Sequence, residues 1–296
     1  MGWVSLVVGH GLASLGMGTR GWRLGAVVGV AVLAGVGASG PERAEAVRAA
    51  VGLGPLPADR YNYTPEDYQR EKRATALLVR QCMAKRGHAA FPLDPRYPTD
   101  PAMLTAVSTV YGALDLANAG RWGYGWDPAK STPTRPRGRR MTQAEYADFP
   151  ACNVEANRRL MRGIDVKRDW LYASTRSVEI DKAVKRDPRL LAAWDAWSRC
   201  VADQGFARYS DPLAAFGDKA WHRGSDGNTT HTPTERGTAV ADVTCQRRHH
   251  TAQLLHAVRA QQQTADIAAH QDRYTASLRA LQTFRSTISD TLRHLT

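Results

Sequence analysis

The chain has 296 residues, enough for one large domain or two ordinary ones, and its 43% apolar and 23% charged composition suits a globular core. Lys and Arg outnumber Asp and Glu by 40 to 28, a formal charge of +12. These numbers exclude an acidic disordered chain, a polytopic membrane protein and a cysteine-dense toxin scaffold.

The N-terminus reads as an export signal. Met17 to Arg23 is short and basic, Leu24 to Gly37 is uninterrupted and apolar, and Ala38-Ser39-Gly40 supplies the small residues of a cleavage site. The apolar run falls short of the roughly 20 residues of a membrane span. Met17 is an alternative start, because the residues before it lack the charge of an n-region. Cleavage near Gly40 is expected, with an uncleaved anchor as the lesser reading. No cysteine stands at the exit, so there is no lipobox. Losing residues 1–40 removes two arginines and no acid, leaving +10. The same region spells GxGxxG at Gly35 to Gly40 with Asp59 downstream. The stretch Gly52-Leu-Gly54-Pro55-Leu-Pro57 between them cannot form the central strand that a dinucleotide site needs.

Residues 41–60 are expected as an exposed lead. A helix then starts at Thr64-Pro65-Glu66-Asp67, with Thr64 as N-cap, proline at N1 and acids in the first turn, and should run to about Arg86. Asp100-Pro101 repeats that device and predicts a helix over 101–118.

Residues 120–140 form the least ordinary segment. In Arg121-Trp122-Gly-Tyr124-Gly-Trp126, an extended backbone would project Trp122, Tyr124 and Trp126 from one face. The glycines would leave the rings open to a sugar or an extended peptide. The competing and favoured reading is an aromatic plug folded onto the core. From Lys130 to Arg140 follow five cations and no acid, with Arg135, Arg137, Arg139 and Arg140 closing the run. Outside a cell the matching anions are phospholipid headgroups and phosphate-bearing wall polymers. A solvated basic loop is the plainer alternative. Nucleic acid is not expected, since export removes it and no binding motif accompanies the charge.

Further helices are predicted at 151–162, 165–184 and 188–204, the last opening on Asp187-Pro188. Pro150 is expected to make the approach to Cys152 less helical. Residues 210–231 read as a polar loop. From Thr234 to Thr296 there is no proline and a single glycine, Gly237. Tyr274, Leu278, Leu281, Ile288, Leu292 and Leu295 form a 4-3 stripe that misses one beat at Arg285, beside Phe284. A long amphipathic helix or helical pair is expected there. Packing within the chain is preferred to a homodimer through that helix.

All four cysteines lie beyond the signal, and an even count in an exported chain argues for disulfides. A partial repeat selects among the three pairings. Cys82-Met-Ala84-Lys-Arg-Gly87-His-Ala89 aligns with Cys200-Val-Ala202-Asp-Gln-Gly205-Phe-Ala207, each glycine standing where a helix would end. Ala147-Asp148 precedes Cys152 and Ala241-Asp242 precedes Cys245, after the capping signals Thr142-x-x-Glu145 and Thr232-Pro233-x-Glu235. The expected bonds are Cys82–Cys152 and Cys200–Cys245, within the halves 61–162 and 187–260 of a diverged duplication. With no sustained period-two alternation, the fold class is all-α, disulfide-stapled over 61–296.

Several landmarks occur together: Tyr111-Gly112-x-x-Asp115, Trp122-Gly123-Tyr124, Thr142-x-x-Glu145 before Cys152, and Asp187-Pro188-Arg189. Ala193-Trp194-x-x-Trp197-Ser198-x-Cys200 and Thr238-Ala-Val-Ala241-Asp242-Val-x-Cys245 complete the order. In that order, over about residues 60–296, the chain resembles an uncharacterised family of exported, often lipid-anchored actinomycete proteins. The resemblance implies export and paired cysteines, and it transfers no catalytic residue.

No catalytic residue, metal or cofactor is expected. Cys245 and His249 stand four apart, a metal-ligand spacing, but an oxidised Cys245 cannot ligate. A secreted phospholipase A2 would need His-Asp near its cysteine, and Cys245-Gln-Arg-Arg-His249-His250 has no such aspartate. Asp165 with Asp169, or Asp148 with Asp242, could be offered as paired carboxylates, though acids at helix starts serve the helix itself. No GxSxG, HExxH or P-loop pattern occurs after the signal. The expectation is an exported, non-catalytic protein of the cell envelope that binds anionic wall polymer or an envelope protein. Its alternative is a secreted hydrolase of wall or lipid.

Overall fold

The computed structural model describes residues 51–92, 111–130, 139–224 and 227–295. The signal segment, Arg135, Arg137 and most of the helix expected over 101–118 lie outside the described residues. Among the described residues the fold is all-α, without strands. Its helices are α1 (Pro65–Lys85), α2 (Leu116–Trp122), α3 (Gln143–Leu160), α4 (Tyr172–Val184), α5 (Pro188–Asp203), α6 (Pro212–Phe216), α7 (Pro233–His249), α8 (Thr251–Ala269) and α9 (Gln271–Leu295).

The helix starts follow from their caps. Thr64 and Thr142 each close a full capping box, with Asp67 and Glu145 as the returning acids. Asp115, Asp187 and Asp211 cap α2, α5 and α6 through their carboxylates. At the other end, α1 and α5 close alike. His88 N–H reaches Met83 C=O and Gly87 N–H reaches Ala84 C=O, while Phe206 and Gly205 do the same to Val201 and Ala202. These are Schellman closures, and Gly87 and Gly205 take the left-handed conformation they require.

Each such helix is then bonded to a later one. Cys82 of α1 is bonded to Cys152 of α3, with Cα atoms 5.6 Å apart, and Cys200 of α5 to Cys245 of α7 at 5.8 Å. The two pairs organise two cores. One gathers Leu78, Met83, Ala156 and Leu160 around the first bond and is closed by Phe284 and Ile288 of α9. The other gathers Tyr124, Trp197, Val201, Trp221 and Val243 around the second. A third core joins α4, Leu190 and α8 to Leu53, Tyr111 and Leu114.

Several sequence expectations change. Helix α3 runs through Pro150. That proline faces solvent, so the carbonyl it leaves unbonded, at exposed Tyr146, has water to accept from. Residues 111–115 are irregular, and the helix starts only at Leu116. The expected 165–184 helix opens with a separate π-helical turn, Val166–Trp170. The chain from Pro233 to Leu295 is three helices, jointed at His250, which is left-handed, and at His270. Nor is the lead exposed throughout, since Leu53 is 3% exposed and Ala58 is buried in a small core with Tyr61 and Tyr274. The missed beat of the α9 stripe also has a cause. Phe284 takes the core position, and Arg285 pairs with the buried Asp67 of α1 at 2.7 Å.

Candidate functional site

The aromatic segment sits at the end of α2, not on an extended strand. Trp122 is the last helical residue and Gly123 turns the chain at φ +60°. The three rings therefore diverge in environment. Tyr124 is 2% exposed, stacked on Trp221 with centroids 5.6 Å apart and edge-on to Phe216 at 5.7 Å. Such ring pairs contribute about 1 kcal/mol beyond burial. Trp122 and Trp126 are half-buried at the rim, Trp122 edge-on to His231 at 5.5 Å, and Arg121 beside them is exposed.

The glycines in this segment have a different task from the one expected. They do not keep ring faces open; they let the backbone touch α7 and the 228–231 loop. A Cβ on Gly123 would come within 2.5 Å of Glu235 Oε1, and one on Gly125 would fall inside 3 Å of Asn228, Thr229 and His231. Tyr124 N–H donates to Glu235 Oε1 at 2.9 Å, and Thr229 Oγ1 donates to the same oxygen. The Asn228 amide pairs with Trp126 in both directions, accepting from its N–H at 3.0 Å and donating to its C=O at 3.1 Å. Arg223 lies over Phe216 and donates to the carbonyls of Phe216 and Gly227. The polar loop 210–231 is thus the clamp that holds the aromatic turn. Glu235 also explains why Thr232 makes only half a capping box. Thr232 accepts from Glu235 N–H, but the Glu235 carboxylate is drawn to Tyr124 instead of returning to the cap.

Behind Tyr124 lies a second buried acid, Asp242. Its Oδ1 accepts from Trp197 Nε1 and from Gln246 Nε2, both at 3.0 Å. Burial pushes its carboxyl up to about 8. Asp242 Oδ2 and Tyr124 Oη lie close enough to affect each other's ionisation, yet neither has a hydrogen bond of normal geometry among the described residues. Asp242 and Glu235 are both 0% exposed. As packed, they fix the turn and cannot touch a substrate.

Of the basic run, Arg139 and Arg140 lie among the described residues, and Arg139 is paired. Arg139 makes a bidentate pair with buried Glu145, at 2.6 and 2.8 Å, and donates to Ala90 C=O. Hydrogen bonds from Arg139, then from the Thr142 N–H, hold the Glu145 carboxyl down to about 2. Arg140 is exposed, and its carbonyl accepts from Arg139.

Asp148 and Asp242 do not assemble into a carboxylate pair. Asp148 binds Arg86 and His88 at 2.8 Å beside α1, whereas Asp242 lies between α7 and α5. Asp165 caps the π-helical turn, and its carboxylate and that of Asp169 share Arg168, at 3.8 and 2.9 Å. Cys245 is spent on its disulfide. Among the described residues no group of three or more His, Cys, Asp and Glu is placed to hold a metal ion, and no helix is long and apolar enough to cross a membrane.

No family model, curated protein or solved structure matches this chain. What sequence reasoning missed is the set of polar residues on the inner face of α7. Glu235, Thr238, Asp242 and Gln246 recur at helical spacing among Ala239 and Val243, so the face reads as mixed where it is buried.

Proposed function

We propose that the protein is exported and acts, without catalysis, as an interaction protein of the cell envelope. The observation that carries this reading is the pair of within-half disulfides, a form of bonding that persists in oxidising compartments and is rare in a reducing cytosol. The export-type N-terminus, the resemblance to exported actinomycete proteins and the basic mature chain point the same way.

The contact surface in this reading is the rim of the aromatic turn: Trp122, Trp126 and exposed Arg121, with Arg140 as a further exposed cation. Tyr124 supports that surface from beneath. Anionic wall polymer is the first ligand to test, since a loosely distributed positive charge attracts it without selectivity and the attraction fades with salt. The mature protein should be retained on purified wall at low salt and released at high salt. The Trp122→Ala/Trp126→Ala variant, shown to melt cooperatively, should pass through. Equal retention of that variant would remove the aromatic rim from the account.

A further inference from the structure

The outer face of α3 is apolar where a surface helix is ordinarily polar. Tyr146 and Val154, 59% and 66% exposed, are the two most exposed large apolar side chains among the described residues. They stand two turns apart on one helix, and Pro150, also exposed, stands midway between them. Ala147 and Ala151 flank this ridge and are exposed as well. By helical spacing the five residues form one stripe about 12 Å long, on the side of α3 opposite buried Cys152.

The free charge beside the stripe has one sign. The three acids of α3 are engaged elsewhere: Glu145 is buried against Arg139, Asp148 holds Arg86 and His88, and Glu155 reaches Cys82 Sγ of α1 at 3.6 Å. Arg158 continues the ridge one turn beyond Val154, and Arg159 and Arg162 follow at the end of the helix. All three arginines are exposed, and none is paired with an acid among the described residues. Cations at a helix C-terminus serve the dipole, which accounts for Arg158 and Arg159 but not for the bare apolar stripe before them.

We infer that this face of α3 docks on an anionic phospholipid surface, with the stripe entering the headgroup layer and the arginines resting on the phosphates. An apolar stripe flanked by cations is the pattern of a helix that lies in a membrane interface. Wall polymer has no apolar layer to receive Tyr146 and Val154. A second copy of the chain meeting this face with its own would offer the arginines no free acid. Pro150 sets the depth. The Tyr146 carbonyl that it leaves without a helical partner needs water, which the headgroup layer retains and the acyl core excludes. The inference rests neither on the aromatic rim nor on wall binding.

Co-sedimentation of the mature, disulfide-intact protein tests it, using vesicles of phosphatidylcholine alone and of phosphatidylcholine mixed equally with phosphatidylglycerol. The anionic vesicles should bind about tenfold more tightly, or better. Tyr146→Ser/Val154→Ser removes the stripe without changing charge. It should weaken anionic-vesicle binding by about tenfold and leave the melting temperature nearly unchanged, because both side chains face solvent. Arg158→Gln/Arg162→Gln should weaken it by about fivefold for each charge removed. Trp122→Ala/Trp126→Ala should bind vesicles like the parent, which separates this contact from wall retention. A parent that sediments with neither vesicle would overturn the inference. Binding indifferent to the stripe substitutions would overturn it too, leaving only the general positive charge of the protein. Loss of vesicle binding in the Trp122/Trp126 variant alone would move the contact to the aromatic rim. A dimer seen by light scattering, dissolved by the stripe substitutions and without vesicle binding, would make a second copy the occupant and overturn the lipid assignment.

Discussion

Asp242 concentrates the energetics of the molecule in one side chain. Its carboxyl is raised from the ordinary aspartate range to about 8, chiefly by burial, so the folded protein prefers the neutral acid. A raised native value gives a stability contribution that is complete below about pH 4 and is lost as pH climbs towards 8. Asn at this position keeps the oxygen that Trp197 and Gln246 use and cannot ionise. Asp242→Asn should melt close to the parent at pH 4 to 5 and clearly above it at pH 8. Across the window the gap should widen steadily as pH rises. A parallel pair of pH profiles would contradict this. Gly123 is the companion case. A β-carbon there meets both a left-handed backbone and the Glu235 carboxylate, so Gly123→Ala should cost about 1–3 kcal/mol in chemical denaturation. Here the sequence was partly legible. The Trp-Gly-Tyr-Gly-Trp alternation marks an unusual segment, but alternation cannot tell an open strip from a turn whose glycines admit a neighbouring carboxylate. The partners, Asn228, Thr229 and Glu235, lie about a hundred residues away.

The elements were more legible where their ends carry side-chain chemistry. Thr64, Asp187 and Thr232 before proline predicted three helix starts, and Gly87 and Gly205 predicted two ends, because a cap is a local event of four to six residues. A helical pair was expected there, but the joints at His250 and His270 could not be placed, since neither carries glycine or proline. The effect of Pro150 depends on which face of the helix it occupies, a tertiary fact. The partial repeat selected the disulfide partners correctly. In the chain-entropy view each closed loop, of 70 and 45 residues, is worth about 4 kcal/mol. Cys200→Ser/Cys245→Ser should therefore lower the unfolding free energy by about 2–4 kcal/mol, read by urea titration against the intact protein. An unchanged midpoint would show that the bond contributes no stability.

Across the whole molecule, α9 acts as the closing strap. Tyr274 belongs to the small core with Ala58, Tyr61 and Ala173, while Phe284 and Ile288 complete the core around the first disulfide. Arg285 adds a pair to Asp67, whose carboxyl that pairing and its capping bonds hold below the ordinary aspartate range against the opposing effect of burial. The apolar stripe read from the sequence is thus used inside the chain. Truncation before Tyr274 should abolish the cooperative thermal transition; a truncated chain that still melts cooperatively, with only a changed solution mass, would restore the dimer reading. Export and within-half bonding are the claims on which the functional reading rests. Non-reducing mass mapping of the protein from the culture medium and from the cells tests both at once. The account predicts mature chain in the medium, starting near Pro41, with Cys82–Cys152 and Cys200–Cys245 linked peptides. An intact N-terminus confined to the cells, with four free thiols, would contradict it.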